Sequence, residues 1–262
     1  MVGAALLAGS ANVIMQLAWP GVGYGVVESP VESGQIFRHP VKRTRTTLSY
    51  LAVAMLGSEA DRQAYRRAVD RVHAQVRSGP DSGSPVSYSA FDHDLQMWVA
   101  ACLYRGVEDT YEAFIAPLDE HGREQLYAHA APLGTTLQVR EDRWPADRAA
   151  FEAYWRSGLD RVHIDDTVRG YLEDLTDLRF LPAGIGRPLA PLHRLVTAGF
   201  LPPPFRDQMR MTWTPRQQRR FDRLIGAIGV VVRRLPRVLR ELPFNLLLWD
   251  VRRRVRRGRP LV

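Results

Sequence analysis

Apolar residues in this chain recur at helical spacing, and no stretch shows sustained two-residue alternation rich in β-branched side chains. In "YRRAVDRVHAQVR", residues 65 to 77, Tyr65, Val69, Val72, His73 and Val76 share one face of a helix expected over 60–77. Similar stripes follow start signals elsewhere. Ser89 and Asp92 form a candidate capping box ahead of Leu95, Trp98, Val99, Cys102 and Leu103, a segment apolar enough to be central. Pro145 is expected in the first turn of a helix after Trp144, Asp165 or Asp166 caps another, and Thr214 with Pro215 opens a third. Loops are expected at Gly79 to Pro85, Pro182 to Pro191 and Leu201 to Pro204. The fold class is therefore all-α. With no repeat or low-complexity linker, the economical division is a helical domain over 1–200 carrying a basic helical extension over 201–262.

Charge is placed unevenly. The net charge is +8, but residues 201–262 hold 16 basic and 4 acidic side chains, so the remainder of the chain is acidic by 4. The stretch "LLLWDVRRRVRRGRP" (246–260) interleaves an apolar face with arginine. It reads first as a packed helix with a solvated arginine face, next as a helix on an anionic membrane surface, and last as a nucleic-acid contact. On the membrane reading, removal of 250–262 is expected to abolish vesicle binding and to leave the fold intact. The single cysteine, Cys102, excludes an internal disulfide and any thiolate cluster, which fits a reducing, cytoplasmic compartment. Val2 to Trp19 is apolar but has no basic start and carries Ser10, Asn12 and Gln16, so it is expected to be a buried helix.

The one titratable member of the opening stripe is His73. On pattern alone it is either a packed core histidine or a metal ligand. Upstream, "HPVKRTRTTLSYLAVAMLG" (39–57) places Arg43 and Thr47 at i and i+4, above Leu51 and Ala54 on an apolar face. Arg43 would bring a fixed charge and a planar fork of donors, and Thr47 a hydroxyl; a helix start whose arginine faces water reads the same way. Asp70 and Arg71 read as solvated. His93, His121, His129, His163 and His193 lack the paired spacing of a zinc or non-haem iron site. No phosphate-binding glycine loop and no nucleophile elbow is present.

Five stretches, "NVIMQLAWPGVGYGVVE", "KRTRTTLSYLAVAMLG", "RAVDRVHAQVR", "YSAFDHDLQMWVAACLY" and "WPADRAAFEAYW", resemble in this order the family that joins MpaB-type oxygenases to the catalytic domain of latex-clearing rubber oxygenases. The resemblance spans most of residues 10 to 200. It implies a globin-like helical bundle, and its rubber-cleaving members hold haem b through a histidine and use dioxygen to cleave isoprenoid double bonds. On this resemblance His73 is the iron ligand, and Arg43 with Thr47 form the distal Arg-x-x-x-Thr pair, with Arg45 and Thr46 as competitors for that register. The implied partners are dioxygen and an apolar, unsaturated substrate.

The chain also departs from the pattern. Asp70 stands where the rubber-cleaving members have an arginine, Thr46 where they have a lysine, and Ala100 where many relatives have a histidine. Two functions follow. One is a haem-b oxygenase for an isoprenoid or lipid-like substrate; the other is a haem-free lipid-binding or membrane-peripheral module that has lost oxygen chemistry.

Overall fold

The computed structural model describes residues 2–262, the side chain of Ser33 excepted. The chain folds as α-helices with no strand among these residues, so the all-α expectation holds. One antiparallel bridge joins Arg77 to Ser89. A 3-10 turn at Gly3–Ala8 runs into α1 (Gly9–Leu17), followed by α2 (Pro20–Val27), α3 (Pro40–Leu56), α4 (Glu59–His73) and α5 (His93–Phe114). Next come α6 (Glu120–Ala128), the single turn α7 (Pro132–Thr135), α8 (Arg148–Leu159), α9 (Asp166–Thr176) and α10 (Ala183–Phe200). The C-terminal part comprises α11 (Pro203–Gln208), α12 (Pro215–Arg234), the short α13 (Arg237–Arg240) and α14 (Phe244–Arg256).

The starts of these helices follow local chemistry. Ser58 and Asp61 make a reciprocal capping box for α4, and Thr214 with Gln217 makes one for α12, with Pro215 just inside. Asp165, not Asp166, caps α9. Three expectations are corrected. Asp92 caps α5 alone, by accepting from the amides of Asp94 and Leu95, while the Ser89 hydroxyl takes the amide of Phe91. Pro145 stays outside α8, which starts at Arg148 on an Asp147 cap; the Pro145 carbonyl instead accepts from Tyr127 Oη at 2.6 Å. Pro188 and Pro191 lie inside α10, where a loop is expected from composition. The opening stripe ends sooner than its spacing suggests, because α4 stops at His73 and Val76 lies beyond it.

Core formation centres on α5. Trp98, fully buried, stacks against Trp19 at 4.7 Å between ring centroids on one side and Trp155 at 5.1 Å on the other. Both neighbouring helices are held by indole hydrogen bonds. Trp98 Nε1 donates to the Met15 carbonyl at 3.1 Å, and Trp19 Nε1 to the Gly158 carbonyl at 2.9 Å. A Cβ at Gly158 would lie 2.6 Å from Cζ3 of Trp98, so only glycine permits α8 this approach. The apolar N-terminus is bent by 112° between Leu17 and Pro20. No single helix among the described residues is long and apolar enough to cross a membrane; only that bent pair passes together, by length and composition.

The basic extension is part of this packing. α14 lies along α3 and touches α4, with Phe244, Leu248 and Val251 buried, and Leu261 beyond it is buried too. Arg252 donates to Asp61 Oδ2 through Nε at 3.1 Å and Nη2 at 2.8 Å, which ties the extension to the capping box of α4. Arg253 and Arg254 bond to Asp250, and Arg45 stands 3.7 Å from the same carboxylate. The expectation that residues 250–262 can be removed without harm to the fold is accordingly withdrawn.

Two measurements check this account. Gly158→Ala is expected to cost about 1–3 kcal/mol in urea unfolding, because the rigid Trp98 ring cannot yield as a flexible chain would. Deletion of 250–262 is expected to lower the melting temperature, since Val251 and Leu261 each contribute about 1.5–3 kcal/mol by burial and Asp61 loses its cation. Burial works to raise the Asp61 carboxyl, but Arg252 and Ser58 outweigh it and hold it below its ordinary value. A carboxylate lowered in this way stabilises the fold above the unfolded value near 3.9, and that contribution disappears as pH falls through the folded one. The truncated chain should therefore show a flatter acid limb in a stability–pH curve.

Candidate functional site

The candidate residues sit where α3 and α4 pack together. Pro40 starts α3, and Arg43 and Thr47 fall one turn apart on one face. Arg43 is half-buried; burial draws its guanidinium below its usual range, with Tyr171 and Tyr65 acting the other way. No side-chain hydrogen bond or ion pair to Arg43 and no hydrogen bond to the Thr47 hydroxyl is found among the described residues. The competing pair is engaged elsewhere. Arg45 points to Asp250 of α14, and the Thr46 hydroxyl bonds back to the Lys42 carbonyl of its own helix at 2.9 Å. This leaves Arg43 as the guanidinium of that turn within electrostatic reach of His73.

His73 is the last residue of α4 and is half-buried. Its Nδ1 lies 3.4 Å from Gln138 Oε1, so with an amide oxygen as acceptor the ring carries its proton on Nδ1 and presents a bare Nε2. Burial, reinforced by the Arg43 charge, lowers the imidazole below its ordinary value, against the raising effects of the Gln138 bond and Asp70. At neutral pH the ring is uncharged, the form in which imidazole binds a metal. The rim of the Phe91 ring faces it at 6.5 Å.

Gln138 organises this corner. It is buried, adopts φ +74°, and accepts from Gln96 Nε2 at 2.5 Å while its own amide nitrogen bonds Asp70 Oδ1. Asp70 is half-buried and joined to this chain of side chains, so its reading as solvated surface is corrected; Arg71 is exposed as expected. Neither Gln138 nor Gln96 carries a sequence signal: Gln138 lies in an irregular segment after α7, and its role depends on the backbone turn that aims it.

The remaining candidates resolve into structure. His193 bridges Ser10 Oγ at 3.1 Å and the Thr176 carbonyl at 2.7 Å, tying α1, α9 and α10. Cys102 is fully buried and its thiol is pushed well up by burial, which makes it inert. Ala100, at the position where the resemblance leads one to look for a second histidine, is sealed in the core. No group of three histidine, cysteine or acidic side chains placed to hold a metal ion occurs among the described residues. A haem iron needs only one such ligand, and a neutral imidazole oriented through its second nitrogen meets that need. Two surface hollows, of about 540 and 350 Å³, are lined respectively by α4 with residues 135–142 and by α4 with residues 258–262; neither is bordered by His73, Arg43 or Thr47.

Comparison with known proteins identifies one family. Residues 1–230 match the family described as ER-bound oxygenase mpaB/B'/Rubber oxygenase, catalytic domain. Uncharacterized proteins of Mycobacterium bovis and Mycobacterium tuberculosis are each 49% identical to this chain over 257 residues, covering 98% of it and 100% of the relative. No solved structure matches the chain. With the family's pattern running from the first helices into α12, the chain belongs to the mpaB and rubber oxygenase catalytic-domain family.

Proposed function

We propose that this protein is a haem-b-dependent oxygenase acting on an apolar, unsaturated substrate of isoprenoid or lipid-like character. Membership in an oxygenase family supports the reaction class. The observation that carries the cofactor reading is His73 itself: an imidazole kept neutral, with Nδ1 held by Gln138, and a guanidinium without a counter-ion beside it. Such a donor set suits a single protein ligand to a haem iron.

In this reading His73 would hold the haem through Nε2, and the haem would supply the iron at which dioxygen is activated. Gln138 would orient the ring and keep the proton on Nδ1, while Asp70 and Gln96 fix Gln138 in turn. Arg43 would offer a permanent positive charge and a fork of donors to negative charge developing on oxygen, with Thr47 adding a hydroxyl one turn away. Apolar Leu51 and buried Ala54 further along α3 would help to exclude water.

A haem-free lipid-binding module is the second reading. Asp70 and Ala100, which depart from the family pattern, motivate it. It expects copurified lipid and no iron.

Expression with haem supplied separates the two: one iron per chain and a Soret band lost in His73→Ala support the oxygenase, and a colourless protein, or a band that persists in His73→Ala, overturns it. Gln138→Leu is expected to weaken haem binding about 10- to 100-fold while His73 remains. The electrostatics are testable without cofactor. The His73 ring should titrate by NMR below the unperturbed value near 6.5. Arg43→Gln should raise that midpoint and Asp70→Asn should lower it, because the two charges act on the imidazolium with opposite sign. Since the unfolded histidine takes up its proton first, His73 should also make the fold less stable as pH falls below about 6.5, until the folded midpoint is passed.

A further inference from the structure

The basic extension has a second character besides its packing. Between residues 231 and 249, where α12 ends, α13 turns and α14 begins, Val231, Leu235, Val238, Leu239, Leu246 and Trp249 are all exposed, Val238 at 68% and Leu246 at 59%. Their neighbours Val232, Phe244 and Leu248 are buried and fasten the same helices to the body, so the exposed set lies on the outward side. An apolar surface of this density on one corner is unusual for a chain that meets only water. It is framed by Arg233, Arg234, Arg237 and Arg240, with Glu241, the one acid of this stretch, paired to Arg237.

We infer that this corner is a docking surface for an anionic lipid bilayer, its valines and leucines entering the interface and its arginines meeting the headgroups. Charge complementarity selects this occupant: a purely apolar partner would not account for the arginine frame, and an indole beside guanidinium suits the boundary between acyl chains and headgroups. Trp249 supplies an exposed indole at the edge of this set. The inference relocates the membrane contact expected from residues 250–262. There Arg252, Arg253 and Arg254 are bonded to Asp61 and Asp250, and Val251 faces the body. Because α14 packs on α3 and α4, docking at this corner would bring the helices that carry Arg43 and His73 close to the bilayer. The inference does not depend on whether iron is bound.

The test uses the full chain with vesicles of phosphatidylcholine alone or mixed with phosphatidylglycerol. Co-sedimentation is expected with the anionic vesicles only, and is expected to weaken steeply toward about 0.5 M salt as screening shortens. Val238→Asp with Leu239→Asp is expected to reduce binding at least about tenfold with an unchanged melting curve, since both side chains are exposed. Arg234→Glu, which keeps the apolar set, is expected to do so by about tenfold. Arg256→Glu with Arg257→Glu, in the tail beyond the corner, is expected to have the smaller effect. Absence of binding to anionic vesicles at low salt overturns the inference. So does binding that the tail pair abolishes and the corner pair spares. A self-association that the corner pair dissolves, with no vesicle binding, assigns the surface to a second copy of this chain instead.

Discussion

The stacking of three indoles on α5 is the interaction on which the other packing depends. Trp98 sits between Trp19 at the start of α2 and Trp155 in α8, and each outer ring brings its own helix within reach. The geometry is near parallel, 5° and 13° between planes, so the rings are offset plates whose edges remain free for other contacts. One edge of Trp19 donates to Gly158, and the Arg161 guanidinium covers its face at 3.7 Å. Phe205 of α11 closes the stack from the C-terminal side. Four separate lengths of chain are thereby registered against one residue, and α5 cannot rotate without breaking the hydrogen bond of Trp98 to α1.

Around this centre the polar interactions are arranged by neutralisation. Glu108, buried on α5, is shared by Arg105 and Arg148, and Glu152 by the same two arginines. Arg169 is spent on Asp166 and on the carbonyls of Ile164 and Gln208. The excess positive charge of residues 201–262 is met in part by Asp61 and Asp250, which explains how so basic an extension folds onto a body with a net acidic charge. Interior charges of this kind are tolerable because each has a partner.

Much of this was legible in the sequence because it is local. Helical period, a cap at Asp165 or Asp166, the cap at Thr214, and the apolar weight of α5 each depend on a few consecutive residues, and they agree with the structure, which chooses Asp165. Proline misled in both directions, since its fixed φ is compatible with a helix interior at Pro188 and Pro191 and with the loop at Pro145. The arrangement around His73 was only half visible. The stripe turned His73 inward and the i, i+4 spacing paired Arg43 with Thr47, but the choice between Arg43 and Arg45 depended on Asp250, distant in sequence. Gln138 was invisible, because a left-handed glutamine in an irregular segment has no periodicity to betray it.

Arg43 on α3 has no ion pair or side-chain hydrogen bond among the described residues; Asp109 on α5 likewise has none, and burial pushes its carboxyl up to about 6. The charged and titratable groups that act on Arg43 are the phenols of Tyr171 and Tyr65, and its own charge adds to the burial that lowers the His73 imidazole. Arg45, two residues on, shows that a counter-ion on α14 is available to this helix. In the proposed function the Arg43 charge would be met by negative charge carried by a bound group or developing on one as it reacts. If His73 holds a metal as proposed, the Arg43 charge would assist it, since the guanidinium disfavours the proton that would otherwise occupy the ring nitrogen.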